Sequence, residues 1–438
     1  MKLFLKNPKS KAMIYKTILT FLLSLTLVNG FTEDTISEVS AHGTIRYDFE
    51  FVGAKDTFFI VPVQIKRLKS NVGSQSNIQE DHDMGNIRFR IIDKNSDKLL
   101  YQKGFSPLFF EWLATAEAKT TSRSYYHGLF FPDFGNDFIV EIDKRDHRNN
   151  WIKLYADTVL QQNIWIKKEL PVIYPVDTIC FSGNASEKID IAILAEGYTG
   201  EEMSKFVSDV CRMTDSLFSY KPYSSYKNRF NIYAVKVPSV ESGTDQPDKD
   251  IYRNTVFNST FDTFESERYL TTSDMKSIYD AVDGVAWDHI IVLVNSSRYG
   301  GGGFYNSVSV CSSDEPRSPL VFIHEFGHSF AGLGDEYYYA DNTEEPIYYT
   351  GVEPWEPNLT TLTHFENKWK DMISANVPVP TPRDSVYAGK VGVFEGGGYL
   401  SKGVYSPAMN CLMKELNARI FCPVCQEAIE RAILNGSR

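Results

Sequence analysis

Positive charge is in short supply in this chain. Its 438 residues carry 45 lysines and arginines against 56 aspartates and glutamates, a formal net charge of -11. Phosphate-backbone binding draws on a basic surface, so nucleic acid is excluded as a first reading of the partner. Long apolar runs are also scarce. One uncharged run, Thr17 to Val28, is shorter than the roughly 20 residues a membrane span needs, and no second run of that kind follows. It comes after Lys2, Lys6, Lys9, Lys11 and Lys16, and Gly30 offers a small residue at a cleavage point with Val28 two before it. Residues 1–30 therefore read as a secretory signal peptide, and the expected protein is exported to the periplasm, cell surface or medium. No cysteine lies near the cut, so a lipid anchor is not indicated. Six cysteines in the whole chain are too few for a disulfide-built scaffold. Internal repeats and low-complexity tracts are missing as well. What is present is 42% hydrophobic and 14% aromatic side chains, enough for two or three domains with large cores.

The expected class is α+β: an N-terminal β-sandwich at 31–168, then an α/β catalytic domain at 169–438 with a mixed sheet and an active-site helix. Ile45, Tyr47, Phe49 and Phe51 alternate with polar neighbours, and Phe58 to Val61 is a short apolar run, both suited to strands. Ile87–Ile92, the polar turn Asp93–Asp97 and Lys98–Tyr101 read as strand, turn, strand. His42, His82, His127 and His147 are scattered singly and read as surface or satisfied residues, so this half is accessory and dispensable for chemistry. The prolines of Leu170–Pro175 mark a linker. Beyond it Ile189–Leu194 reads as a strand, Thr199-Gly-Glu-Glu202 as a capping box, and Met203, Phe206, Val207, Val210, Leu217 and Phe218 as the buried stripe of a helix. Strands at Phe230–Val237 and His289–Val294, with a helix around Asp274–Val282 between them, continue the alternation.

The chemistry concentrates in His324-Glu325-Phe326-Gly327-His328. Two histidines four apart share one face of a helix, so both imidazoles reach a single Zn2+. The glutamate beside the first can take a proton from a water at the open coordination position. Pro316 and Pro319 suit a helix start, while Gly332 and Gly334 break the helix before Asp335 and Glu336. Upstream, Gly300 to Gly303 are not followed by the Lys-Ser/Thr of a phosphate-binding loop, which removes a nucleotide reading. They read instead as a cleft rim where substrate backbone approaches closely, or as a flexible surface loop. Cys422-Pro-Val-Cys425 has the spacing of a redox or zinc pair, but the chain offers no second pair at metal spacing. A structural role is expected, with Cys411 bridging to one of the two.

Residues 324–337, His-Glu-Phe-Gly-His-Ser-Phe-Ala-Gly-Leu-Gly-Asp-Glu-Tyr, resemble the signature of the IgA peptidase family of secreted bacterial metallopeptidases. The resemblance extends through Ala195-Glu-Gly-Tyr198 and Glu241-Ser-Gly-Thr-Asp245. It implies a zinc endopeptidase related to the metzincins, with protein or peptide as substrate and one Zn2+ per chain. The family takes its name from members that cut immunoglobulin A, so host immunoglobulin or other glycoproteins are implied substrates. The implied ligands are His324, His328 and Asp335, with Glu325 as the base. Metzincins place their third ligand where this chain has Gly334, so Asp335, one residue on, takes that role; Glu336 and Glu366 are the competing acids. A methionine turn under the metal is implied at Asn410–Met413, with Met413 first and Met409 second. Tyr337 and Tyr338 are placed to donate to an oxyanion, although packing is their expected role. Two other readings stay open: an exported binding protein with an idle peptidase fold, and a metal-dependent amidase acting on cell-wall peptides. Oligomeric state is not legible.

Overall fold

Alternation in sequence becomes a two-faced sheet. Ile45, Tyr47, Phe49 and Phe51 are fully buried on one side of strand β1 (Thr44–Gly53). In this computed structural model, which describes residues 43–68, 83–163, 165–168, 172–339 and 348–437, β1 pairs antiparallel with β2 (Phe58–Leu68). The signal segment 1–30, His42, His82 and the first two linker residues lie outside the described residues. A hairpin of β3 (Ile87–Asp93) and β4 (Leu99–Phe105) forms around the expected turn, where Asp93 accepts from the backbone of Asn95 and Ser96. The short helix α1 (Leu108–Trp112) follows, then β5 (Arg123–Pro132), β6 (Phe138–Arg145), β7 (Trp151–Val159) and β8 (Ile166–Lys167). Two four-stranded sheets result, ordered β5-β1-β2-β8 and β4-β3-β6-β7, and they share one aromatic core.

The run Phe58–Val61 is not buried as a block. Only Ile60 is buried, while Phe59 is 53% exposed and Val61 37%. A strand covered on one face sends alternate side chains outward whatever their polarity. His127 is a core residue: its Nδ1 meets the Tyr279 hydroxyl at 2.8 Å, its Nε2 is buried with no hydrogen-bond partner among the described residues, and burial pushes its imidazole down to about 3.

From β9 (Val176–Cys180) onward the grammar is α/β. β10 (Ile189–Glu196), eight buried residues long, starts a run through helix α2 (Met203–Leu217), β11 (Phe230–Val235), α3 (Met275–Val282), β12 (His289–Val294), β13 (Gly301–Gly303) and β14 (Val308–Ser312). The sheet order is β13-β14-β12-β10-β11-β9, parallel in its four central strands and antiparallel at both edges. The capping box forms at Thr199, whose backbone N–H donates to Glu202 at 2.9 Å. Helix α2, α4 (Ser318–Ala331) and the terminal α5 (Pro423–Gly436) cover one face of the sheet; α3 covers the other. A hairpin of β15 (Phe394–Gly397) and β16 (Leu400–Ser406) precedes α5. The Glu196 carboxylate, fully buried at the end of β10, accepts from the backbone N–H groups of Phe257 and Ser259. Gly197 beside it has φ of +68°, and its neighbour Gly243 lies so close that a Cβ would meet the Gly243 carbonyl at 1.9 Å.

The two halves interlock, and residues 41–438 form one unit. Arg46 of β1, with no exposed surface, donates to Asp48 at 2.8 Å and to Asp280 of α3 at 2.7 Å, with Asp283 at 3.3 Å. Lys66 adds a contact to Asp280 at 2.9 Å. Removing one partner from such a buried cluster leaves uncompensated charge, a cost of about 3–5 kcal/mol.

Candidate metal centre

Helix α4 begins with Pro319 in its first turn, where the missing N–H is no loss, and ends at Gly332 in the left-handed region at φ +62°. Between these signals Ile323, Phe326 and Phe330 pack into the core and leave His324 and His328 together on the cleft side. Each imidazole is held from behind by a backbone carbonyl. His324 Nδ1 faces the Leu412 oxygen at 3.0 Å, and His328 Nδ1 faces that of Leu333 at 2.5 Å. Carbonyls only accept, so each Nδ1 carries the proton and each Nε2 offers a lone pair forward.

Those lone pairs converge with a carboxylate. His324 Nε2 and His328 Nε2 are 3.2 Å apart, and Asp335 Oδ1 stands 3.2 Å from the first and 3.4 Å from the second. Ligands at 2.0–2.1 Å around a tetrahedral ion are separated by about 3.4 Å. Three acceptors at that spacing repel one another unless a cation sits among them, so the donor set fits a metal ion. Burial disfavours a charged His328, but the Asp335 carboxylate outweighs it and lifts that imidazole to about 9. Burial would likewise raise Asp335, yet the two histidines hold it well below the usual carboxylate range.

Asp335 reaches this point because the chain reverses after Gly332. The N–H of Gly332 bonds to the His328 carbonyl and that of Leu333 to Gly327, which closes the helix end. Asn358 clamps the next residue from both sides, accepting from the N–H of Gly334 at 2.7 Å and donating to its carbonyl at 2.8 Å. Tyr399 donates to Asp335 Oδ2 at 2.6 Å and leaves Oδ1 for the histidines. Neither Asn358 nor Tyr399 stood out in the sequence. Tyr337 packs edge-on against Tyr399 at 5.2 Å, so packing is its observed role, and Tyr338 is 40% exposed.

Glu325 completes the cluster. One of its carboxylate oxygens lies within 4.8 Å of ligand atoms on both histidines, and burial raises its pKa above the ordinary value. The glycines before it are not a loose loop: Gly301–Gly303 form the edge strand β13, pressed against α4. A Cβ on Gly301 would stand 2.8 Å from Glu325 Oε1, and one on Gly303 would collide with the Glu325 carbonyl at 2.3 Å. Of the other acids, Glu366 is exposed and pairs with His364 at 3.3 Å, away from the site. Glu336, the next residue, turns away from the histidines to Asn358 at 3.0 Å and Cys425 at 3.1 Å. Met413 is fully buried, with its sulfur 3.0 Å from where a Cβ on Gly327 would sit, and Met409 is only partly buried.

No curated protein matches the chain. Two family profiles do: that of the IgA Peptidase M64 family at residues 178–386 and 383–433, and that of the Peptidase M64 N-terminus at 35–156. The first spans both histidines, Glu325, Asp335 and the Met413 turn, and the second covers most of the sandwich. Matched over more than half of its length, the chain belongs to the IgA peptidase M64 family.

Proposed function

We propose that the protein is an exported, zinc-dependent endopeptidase with a metzincin-like catalytic domain. The observation that supports it most is the convergence of His324 Nε2, His328 Nε2 and Asp335 Oδ1 at 3.2–3.4 Å with Glu325 alongside. In this reading His324, His328 and Asp335 would hold Zn2+, and Met413, buried against Gly327 of α4, would supply the methionine turn. A bound Zn2+ supplies Lewis acidity toward a carbonyl and acidifies a water in its open position. Glu325 accepts the proton of the attacking water and returns it to the leaving amine. The carbonyls of Leu412 and Leu333 keep both imidazoles in the Nδ1–H tautomer, and Tyr399 keeps Asp335 turned inward. Glycine at 301 and 303 lets β13 pack directly against Glu325 of α4, which fixes the position of the base. The lysines and apolar run of residues 2–28 support export, and among the described residues no helix is long and apolar enough to cross a membrane.

The test is digestion of an unfolded protein, with terminal sequencing of the fragments. Cleavage abolished by a chelator and restored by Zn2+ is expected. Glu325→Gln should retain the metal and lose roughly 10²- to 10⁴-fold in kcat. Near-normal turnover by this variant would move the base elsewhere, and cleavage of cell-wall peptides without cleavage of protein would favour an amidase.

A further inference from the structure

The residue after Asp335 belongs to a second cluster. Glu336, Cys411, Cys422 and Cys425 are all buried, and one donor atom from each lies within 4.8 Å of the others. The sequence shows one Cys-Pro-Val-Cys pair; folding supplies a third thiol from the turn before Met413 and a carboxylate from beside the catalytic ligand. We infer that these four residues form a second metal site, closed and structural, that takes Zn2+.

The distances suit a shared ion better than a disulfide. Cys411 Sγ and Cys425 Sγ are 3.7 Å apart, while Glu336 Oε1 stands 3.1 Å from Cys425 Sγ and 3.9 Å from Cys422 Sγ. Around a tetrahedral Zn2+ with sulfur at 2.3 Å and oxygen near 2.0 Å, such separations are about 3.8 Å and about 3.5 Å. A disulfide would use two sulfurs and strand a third buried thiol beside a buried carboxylate. Glu336 itself points to a missing cation. Its side chain has no exposed surface, Oε1 accepts from Asn358 at 3.0 Å, and Oε2 has no partner among the described residues. A buried carboxylate oxygen without a donor is costly. The thiols have the support that thiolates need. The N–H of Cys422 points to Cys411 Sγ at 3.3 Å, and Cys422 caps α5 by accepting from the N–H of Cys425 at 3.5 Å. Lys414 donates to the Glu336 carbonyl and to Ser406 Oγ, placing a positive charge against a site whose ligands would sum to -4.

This site shares its scaffold with the catalytic one. Glu336 follows Asp335, and its N–H donates to the Met413 carbonyl at 2.8 Å. Cys411 precedes Leu412, whose carbonyl holds His324. A metal here pins the segment, the turn and the start of α5 together behind the catalytic ligands. Binding releases the thiol protons to solvent and shields three cysteines from oxidation in an oxidising compartment.

The experiment is metal analysis of the full chain, purified without added metal, beside the variant His324→Ala/His328→Ala. The inference does not depend on the peptidase reading, and the two fail differently. Expected are two zinc equivalents in the parent and one in the histidine variant, the latter released as an organomercurial titrates the three cluster thiols beyond Cys180, Cys211 and Cys311. Cobalt substituted into the histidine variant should show thiolate-to-metal charge transfer in the near ultraviolet. Should Cys422→Ser/Cys425→Ser fail to fold, this signature decides without it. A histidine variant free of metal, with either all six thiols free or an intact mass two hydrogens light for a disulfide, overturns the second site. One zinc in the parent that survives histidine substitution upholds the second site and sinks the catalytic one.

Discussion

Asp335 and Glu336 are neighbours in the chain and belong to two different kinds of place. The first joins histidines that are 13% and 15% exposed at the side chain, so solvent still reaches them. The second joins three cysteines that solvent does not reach. Catalytic metal sites keep one position open and use nitrogen and oxygen; structural ones close all four and favour sulfur. On the two proposals, one peptide bond separates a place that reacts from a place that holds. What divides them is the direction in which each side chain turns, fixed by Asn358 on Gly334 and by the Gly398 N–H on the Asp335 carbonyl.

The sharpest way to break the pair apart is to remove each acid in turn. Asp335→Ala should lower zinc affinity at the catalytic centre by orders of magnitude and abolish cleavage while the chain stays folded. Glu366→Ala should change nothing, and zinc titration of both variants checks this. Glu336→Ala should act in the opposite order. Thermal stability falls first, and activity follows only as far as the turn behind His324 loosens. Equal losses of affinity in the two variants would mean that the segment carries a single site.

Tyr399→Phe comes next. Removing one hydrogen bond behind a ligand typically costs 10- to 100-fold in metal affinity or activity. The loss should appear in zinc dissociation and leave unfolding by denaturant close to that of the parent. A variant with parental affinity would make the Tyr399 bond to Asp335 incidental.

The sequence made one site legible whole and the other only in part, its three cysteines without Glu336, for a physical reason. His324, Glu325, His328 and Asp335 lie within twelve residues, and the helix, its proline start and its glycine end are local signals with fixed geometry. The capping box at Thr199 and the alternation of Ile45 to Phe51 are local in the same way. The cysteine site joins residues 86 and 89 positions apart, and Tyr399 reaches Asp335 across 64. Such contacts leave no period or spacing to read. The apolar run Phe58–Val61 misled differently, because hydrophobicity alone does not reveal whether a strand is covered on one face or on two.

A smaller effect is expected at Gly301. An added Cβ would stand 2.8 Å from Glu325 Oε1, so Gly301→Ala must push the carboxylate aside or shift β13. Neither histidine nor Asp335 is touched. Zinc content should stay whole and kcat should fall severalfold, less than in Glu325→Gln. A variant that loses zinc in proportion to activity would show that β13 supports the metal rather than the base.

The smallest effect tests the sandwich, which the sequence assigns an accessory role. Helix α1 sends Glu111 to accept from the Tyr269 hydroxyl, and Tyr269 bridges to Gly301 at the sheet edge. The sandwich thus touches the segment that flanks β13 without contributing a metal ligand. A hydrogen bond of this sort contributes about 1 kcal/mol, so Glu111→Ala should lower kcat/KM by about fivefold at most, mainly through KM. Deleting the sandwich is a poorer test, since it removes Arg46 and Lys66, which pair with Asp280 and Asp283 at the other half. A parental KM in Glu111→Ala would leave the sandwich a structural buttress. A larger loss, confined to KM and growing with peptide length, would make it a wall of the substrate cleft.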